Sequence, residues 1–153
     1  MKKIHLILMI ITFAILIAIT FNIYEEVNAI KNAKLEIYDV RVEKLIPNIL
    51  LNLSIKIIND ENKGIDDLTG NFNIYIINFS IGELKFHETD IPPHSFRNIN
   101  VMLTLYYNEI AKSIIYAIEK MDFKLSLKGN VKGKIFFGLL SYENPVETSY
   151  QYV

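Results

Sequence analysis

The stretch 50–79, LLNLSIKIINDENKGIDDLTGNFNIYIINF, decides how this chain is read. Leu51, Leu53, Ile55 and Ile57 alternate with Asn52, Ser54 and Lys56. Successive side chains of a strand point to opposite faces, so this alternation predicts a strand with one buried face. Ile58 breaks the pattern just before the polar loop 59–64, NDENKG. Phe72, Ile74 and Ile76 then alternate with Asn71, Asn73 and Tyr75, predicting a second long strand running on toward Phe79. The loop between them is too long for a two-residue hairpin and suits a crossing between two packed sheets.

Outward from this stretch, the 153 residues divide into an N-terminal apolar segment and enough chain for one ordinary core. Formal net charge is -1, and without Lys2 and Lys3 fourteen basic residues face seventeen acidic ones. That balance argues against a nucleic-acid partner held by bulk charge. The absence of cysteine excludes disulfides, zinc–thiolate sites, iron–sulfur clusters and cysteine nucleophiles.

Residues 4–23, IHLILMIITFAILIAITFNI, contain no Gly, Pro, acid, Lys or Arg. As a helix rising about 1.5 Å per residue they span roughly 30 Å, the thickness of a bilayer's hydrocarbon core. The apolar character runs all the way round, which fits a crossing and not an interfacial helix. Lys2 and Lys3 precede the run and Glu25 and Glu26 follow it. The expectation is a single-pass anchor with the N-terminus cytoplasmic and the remainder outside the cytoplasm. A cleavable signal peptide is the competing reading; the run is long for one, and the only small-residue pair, Val27-x-Ala29, lies beyond both glutamates. The segments expected are thus an anchor over 1–23, a stalk over 24–33 and a folded domain over 34–153, which should remain folded without residues 1–30.

In that domain, Leu35, Ile37, Val40, Val42 and Leu45 predict a first strand with a bulge near Asp39. After Phe79, residues 81–86 alternate as a short strand closed by Pro92 and Pro93, which lack ladder donors. Ile99, Val101, Leu103 and Leu105 give the next inward face. One helix is expected over about 109–121, capped by Asn108, with Ile110, Ile114, Ala117, Ile118 and Met121 at helical spacing. Phe123, Leu125, Leu127, Val131, Ile135 and Phe137 then form an inward strand face, and Asn144-Pro145 is read as a turn into a last strand. About seven strands with one helix indicate an all-β sandwich.

The order of these features resembles a known family. An apolar anchor precedes a strand, and a long strand ends in Ile57-Ile58-Asn59. A second long strand, Ile81-Gly82, an Ile-Pro-x-x-Ser element over 91–95, one helix and a strand carrying Lys128-Gly129 follow. This is similar to the late-embryogenesis-abundant group 2 family, also called LEA14-like or the water-stress-and-hypersensitive-response domain, from about Lys34 onward. The resemblance implies an immunoglobulin-like or fibronectin-III-like sandwich and a structural or protective role in desiccation tolerance. It carries over no catalytic residue. The family commonly has Asn-Pro-Asn after the long strand; here Asn59 fits and the proline is absent.

Candidate sites are few. The loop Asp60, Glu61, Asn62, Asp66, Asp67 offers oxygen ligands for calcium, but Gly64 and Asn71 fall at the wrong positions for an EF-hand, so a solvated turn is expected. His87, Glu88, Asp90 and His94 are metal-ligand types without a metal-site spacing. Lys124, Lys128, Lys132 and Lys134 share one strand face, which suits anionic lipid headgroups or else is simply a solvated face or a lysine-guarded sheet edge. Asn52 and Asn78 begin glycosylation sequons. No phosphate-binding glycine loop and no GxSxG elbow occur. The expectation is a non-catalytic domain with no catalytic, cofactor or metal site, whose partner is the lipid bilayer through residues 4–23. The second reading is a carrier of lipid or another apolar ligand in a groove lined by Ile110, Ile114, Phe72 and Ile76.

Overall fold

The computed structural model describes residues 2–153. A helix α1 (Lys2–Lys31) leads into strands β1 (Lys34–Lys44), β2 (Ile49–Asn59), β3 (Ile65–Ile76), β4 (Phe79–Ile91) and β5 (Ser95–Leu105), helix α2 (Lys112–Glu119), and strands β6 (Phe123–Ile135) and β7 (Leu140–Tyr152). The strands form two antiparallel sheets, in the orders β1-β2-β5 and β4-β3-β6-β7. The chain changes sheet through the 60–64 loop, through Pro92-Pro93-His94, and through α2. This is the β-sandwich expected. β4 lies beside β3, whereas the constant-type immunoglobulin arrangement puts the fourth strand on the first sheet.

The alternation in β2 is realised in full. Leu51, Leu53, Ile55 and Ile57 are buried, and they face Leu68, Phe72, Ile74, Ile76, Leu125, Leu127 and Val131 in one continuous core. β2 is the middle strand of its sheet, paired with β1 from residue 50 to 58 and with β5 along its whole length. Close approach is needed in the larger sheet, where a Cβ on Gly129 would lie 2.0 Å from the Asn71 carbonyl oxygen. The bulge in β1 falls between Ile37 and Asp39.

β4, expected as a short strand over 81–86, runs from Phe79 to Ile91, and four further boundaries differ from expectation, each for a local reason. β3 stops at Ile76, because Ile77 and Asn78 both take positive φ (49° and 70°) and turn the chain tightly into β4. α2 starts at Lys112 and its N-cap residue, Ala111, offers no side-chain cap. The preceding residues are held in a turn by Glu109 N–H to Tyr106 O (3.0 Å), and the Tyr107 hydroxyl donates to Leu45 O. Ile114, Ala117 and Ile118 are buried as their spacing predicts, while Met121, at φ 53°, is the left-handed residue just past the helix. Pro145 lies inside β7, where an edge strand with a ladder on one side tolerates it. Phe137 does not continue the inward face of β6; at φ 56° and 77% exposure it stands at the tip of the β6–β7 hairpin.

The stretch expected as a stalk belongs to α1, which is unbroken to Lys31. Ala29 and Ile30 are buried, and Ile23 and Val27 pack against the core. Ile30 occupies the space over Gly133, where a Cβ would meet its Cδ1 at 2.6 Å. The core therefore reaches back past Lys34. A chain beginning at Asn22 should unfold cooperatively in denaturant, and one beginning at Lys31 should be less stable by about 2–5 kcal/mol, the usual cost of deleting a large buried aliphatic side chain. Equal midpoints for the two would show that α1 contributes nothing to the sandwich.

Candidate functional site

The polar side chains with the most connections gather at one end of the sandwich, where α1 enters it. Asn59, the last residue of β2, is the buried polar residue there. Its Nδ2 donates to Lys63 O (2.8 Å), Pro92 O (3.2 Å) and Ile91 O (3.4 Å), and its Oδ1 accepts from Glu61 N–H (3.1 Å). One amide thus ties both sheet crossings together. The second crossing is also fastened by His94 N–H to Glu61 O (3.2 Å) and by a His94 Nε2···Asn62 Oδ1 contact of 2.7 Å.

A collar of contacts joins this end to α1. Lys63 Nζ donates to Asn22 Oδ1 (2.6 Å), Phe136 N–H to Glu26 Oε2 (2.7 Å), Asn32 Nδ2 to Glu61 Oε1 (2.8 Å), and Asn144 Nδ2 to Lys31 O (3.3 Å). Lys34 pairs with Asp60 at 2.7 Å. The hydrogen bond and charge of Asp60 raise the Lys34 pKa above its ordinary 10.5, with a smaller contribution from Glu36. Asp67 does the same for Lys134, by hydrogen bond and then charge, helped by Glu88. Raised lysine pKa values mean that whatever these exposed pairs add is fully present at neutral pH. It is lost only as pH climbs above the ordinary lysine value.

The expected candidate groups are accounted for by these contacts. Asp60, Glu61 and Asp67 of the acidic loop are engaged with Lys34, Asn32 and Lys134. His87, Glu88, Asp90 and His94 do not converge: Asp90 Oδ1 accepts from Asp67 N–H (2.9 Å), and His94 faces Asn62. Among the described residues no group of three or more His, Asp or Glu side chains could hold a metal ion. The lysine face is not an edge guard, because β6 is paired on both sides. In register, Lys124, Lys128, Lys132 and Lys134 stand opposite Gln151, Glu147, Glu143 and Ser141 of β7. Lys128 pairs with Glu147 and Lys134 with Asp67, both at 3.2 Å, so much of the stripe's charge is answered within the sheet.

The apolar groove does not form from the residues expected. Phe72, Ile76 and Ile114 are buried in the core, and Ile110 packs partly exposed against it. Of the two sequons, Asn52 lies within the doubly paired β2 and Asn78 in the exposed β3–β4 turn. Sequence reasoning placed Asn59 in a free loop and missed its role. The residue type was the available signal, since Asn at a strand end with a sheet crossing after it is well suited to satisfy turn backbone groups.

Replacing Asn59 with Ala removes every one of these bonds and leaves carbonyls in the crossings without their donor. The expected loss is about 1–3 kcal/mol in denaturant unfolding with an unchanged slope. An unaffected midpoint would mean water substitutes freely for the amide.

No protein-family model matches the chain, and no curated protein matches it in sequence. In structure, it is similar to the solution structure of AT1g01470 from Arabidopsis thaliana, with a TM-score of 0.60 at 11% identity over 79% of this chain and 80% of that one. It also matches the solution structure of At2g46140.1, provisionally assigned as a late embryogenesis abundant (LEA) protein, with a TM-score of 0.47 at 11% identity over 98% and 86% of the two chains. At this identity the first likeness establishes the fold, and that fold is the sandwich implied by the chain's sequence resemblance to the LEA14-like family.

Proposed function

We propose that this protein is a membrane-anchored, non-catalytic LEA14-like domain that protects or scaffolds the cell envelope during water loss. The observation that carries the reading is the continuity of α1. Its apolar stretch is exposed and the helix is long enough to cross a membrane, yet its last turns are built into the sandwich core. A helix whose end is needed by the core is not an appendage made to be discarded, which favours an anchor over a cleaved leader. The basic residues before the span and the acidic ones after it favour a domain outside the cytoplasm.

The protective part of the reading draws on the sequence resemblance. It is consistent with a filled core and with polar groups at the helix end that serve one another. Under this reading the surface polar groups are structural, so His87→Ala, Asp90→Ala and His94→Ala should leave survival after drying nearly intact. Ile74→Asp should abolish survival by burying an unpaired charge at a cost of several kcal/mol, with the protein itself lost from the cell. Survival and protein level must be measured together. A polar variant that accumulates normally yet fails to protect would point to a specific site and overturn the non-catalytic reading.

Topology has a direct test, because the chain contains no cysteine. Glu83→Cys on the outer face of β4 and Lys2→Cys before the span each introduce the only thiol. A membrane-impermeant maleimide added to intact cells should label the first and not the second. The reverse pattern would place the domain in the cytoplasm.

A further inference from the structure

The β6–β7 hairpin ends in Phe136-Phe137-Gly138-Leu139-Leu140, an apolar turn with no charged residue. Phe137 is 77% exposed, Leu139 73% and Leu140 54%. The turn is well formed: Phe136, Phe137 and Gly138 all take positive φ (51°, 56° and 78°), and Leu139 N–H returns to Phe136 O at 3.0 Å. Phenylalanine gains nothing from a left-handed backbone, so the turn holds two rings in a conformation that favours glycine. Asn, Asp or Gly are the usual residues at such positions; here the tip instead exposes three large apolar side chains, Phe137, Leu139 and Leu140.

The position of this turn is fixed by α1. Gly133 lies against Ile30, and three residues further on, just past the end of β6, the Phe136 N–H is bonded to Glu26. Moving toward the hairpin tip therefore means moving back along α1 toward its apolar half. Phe137 follows Phe136 at the tip, and Glu26, which Phe136 contacts, lies three residues after Ile23, the last residue of the apolar run. The 60–64 loop reaches the same level, where Lys63 bonds to Asn22.

We propose that the 136–140 hairpin tip is a second membrane contact, inserting Phe137 and Leu139 into the interfacial region of the bilayer that α1 crosses. This rests on the membrane-anchor reading. The occupant is the bilayer because the tip adjoins the end of the span on a helix fastened to the sandwich by Ile30, Glu26 and the rest of the collar. Phenylalanine and leucine are the side chains that interfacial elements bury at the boundary between headgroups and acyl chains. A span and a tip together make two attachment points, which set the tilt of the sandwich over the membrane where one helix alone would leave it to lipid thickness.

The chain also has no tryptophan, so an introduced indole reports one position. Full-length protein carrying Phe137→Trp is reconstituted into phosphatidylcholine vesicles, with lipids brominated near the headgroup end of their acyl chains in one set and near the chain ends in another as the quenchers. Phe13→Trp, within the span, and Tyr116→Trp, exposed on α2 at the opposite end of the sandwich, are measured alongside. The expected result is bromine quenching at positions 13 and 137, none at 116, and several-fold weaker acrylamide quenching at 137 than at 116. Quenching by bromine at 13 with free access of acrylamide at 137 would overturn the hairpin contact and leave the anchor standing. Failure of bromine to quench at 13 would remove the anchor and the hairpin contact with it. Circular dichroism identical to the parent chain confirms that each variant keeps the fold.

Discussion

Ile30 fills the space that any side chain on Gly133 would need, and this contact makes helix and sandwich a single object. Burying one isoleucine contributes about 1.5–3 kcal/mol, a modest sum beside a whole core. Its leverage comes from its place in the chain. Only Asn32 and Ala33 separate the end of α1 from β1, so the helix that carries Ile30 has no slack with which to swing. Asn32 N–H to Asn28 O and Ala33 N–H to Ile30 O continue the helical hydrogen bonds into that junction. Gly133 is needed for close approach, and the same holds at Gly129 beside the Asn71 carbonyl. Two glycines four residues apart on β6 thus set, respectively, how near the helix and how near β3 may come.

With the helix held, the polar groups around its exit acquire fixed tasks. A sandwich whose chain crosses between sheets at one end must satisfy carbonyls and amides that belong to no ladder. Asn59 does this by donating to three carbonyls and accepting from one N–H. A side chain that satisfies the turn from within makes a proline in the loop unnecessary for holding it, which fits the absence of proline after Asn59. The acidic residues that follow face outward to Asn32 and Lys34, the first residues after the helix. The acidic loop, read in sequence as a solvated turn, supplies the counter-charge to the helix–strand junction.

The sandwich was legible because its strands alternate cleanly and their periodicity survives any choice of partner: Leu51, Leu53, Ile55, Ile57, Phe72, Ile74 and Ile76 all lie inside, as their spacing requires. The apolar part of the long first helix, over 4–23, was legible from hydropathy alone. Turns were harder, because this chain uses residues that do not announce them. Ile77 at φ 49°, Met121 at 53° and Phe136 at 51° occupy left-handed positions where Gly or Asn would be the readable choice. The second strand was therefore read past its end, and Phe137 was read as core. The Lys124–Lys134 face was recognised as a stripe, but edge and centre strands share the same alternation. Only the pairing of β6 with both β3 and β7 separates a guard from a set of cross-strand partners.

Placement explains why the helix end of the molecule mattered so little to a linear reading. Asn22 and Lys63, Glu26 and Phe136, and Asn62 and His94 are pairs far apart in sequence that meet because separate connections end beside the last turns of α1 or against one another. None of them forms a motif. Each answers a backbone or side-chain group left over by the crossing of two sheets beside a helix. The same geometry that gathers these polar residues also brings the apolar Phe137 and Leu139 to the rim, since a hairpin long enough for Gly133 to pass Ile30 and for Phe136 to reach Glu26 must end just beyond both. Placing polar groups against the helix and apolar ones at the tip is the arrangement expected where a protein surface gives way to lipid. Headgroup-level contacts there tolerate hydrogen bonding, and the first acyl carbons do not.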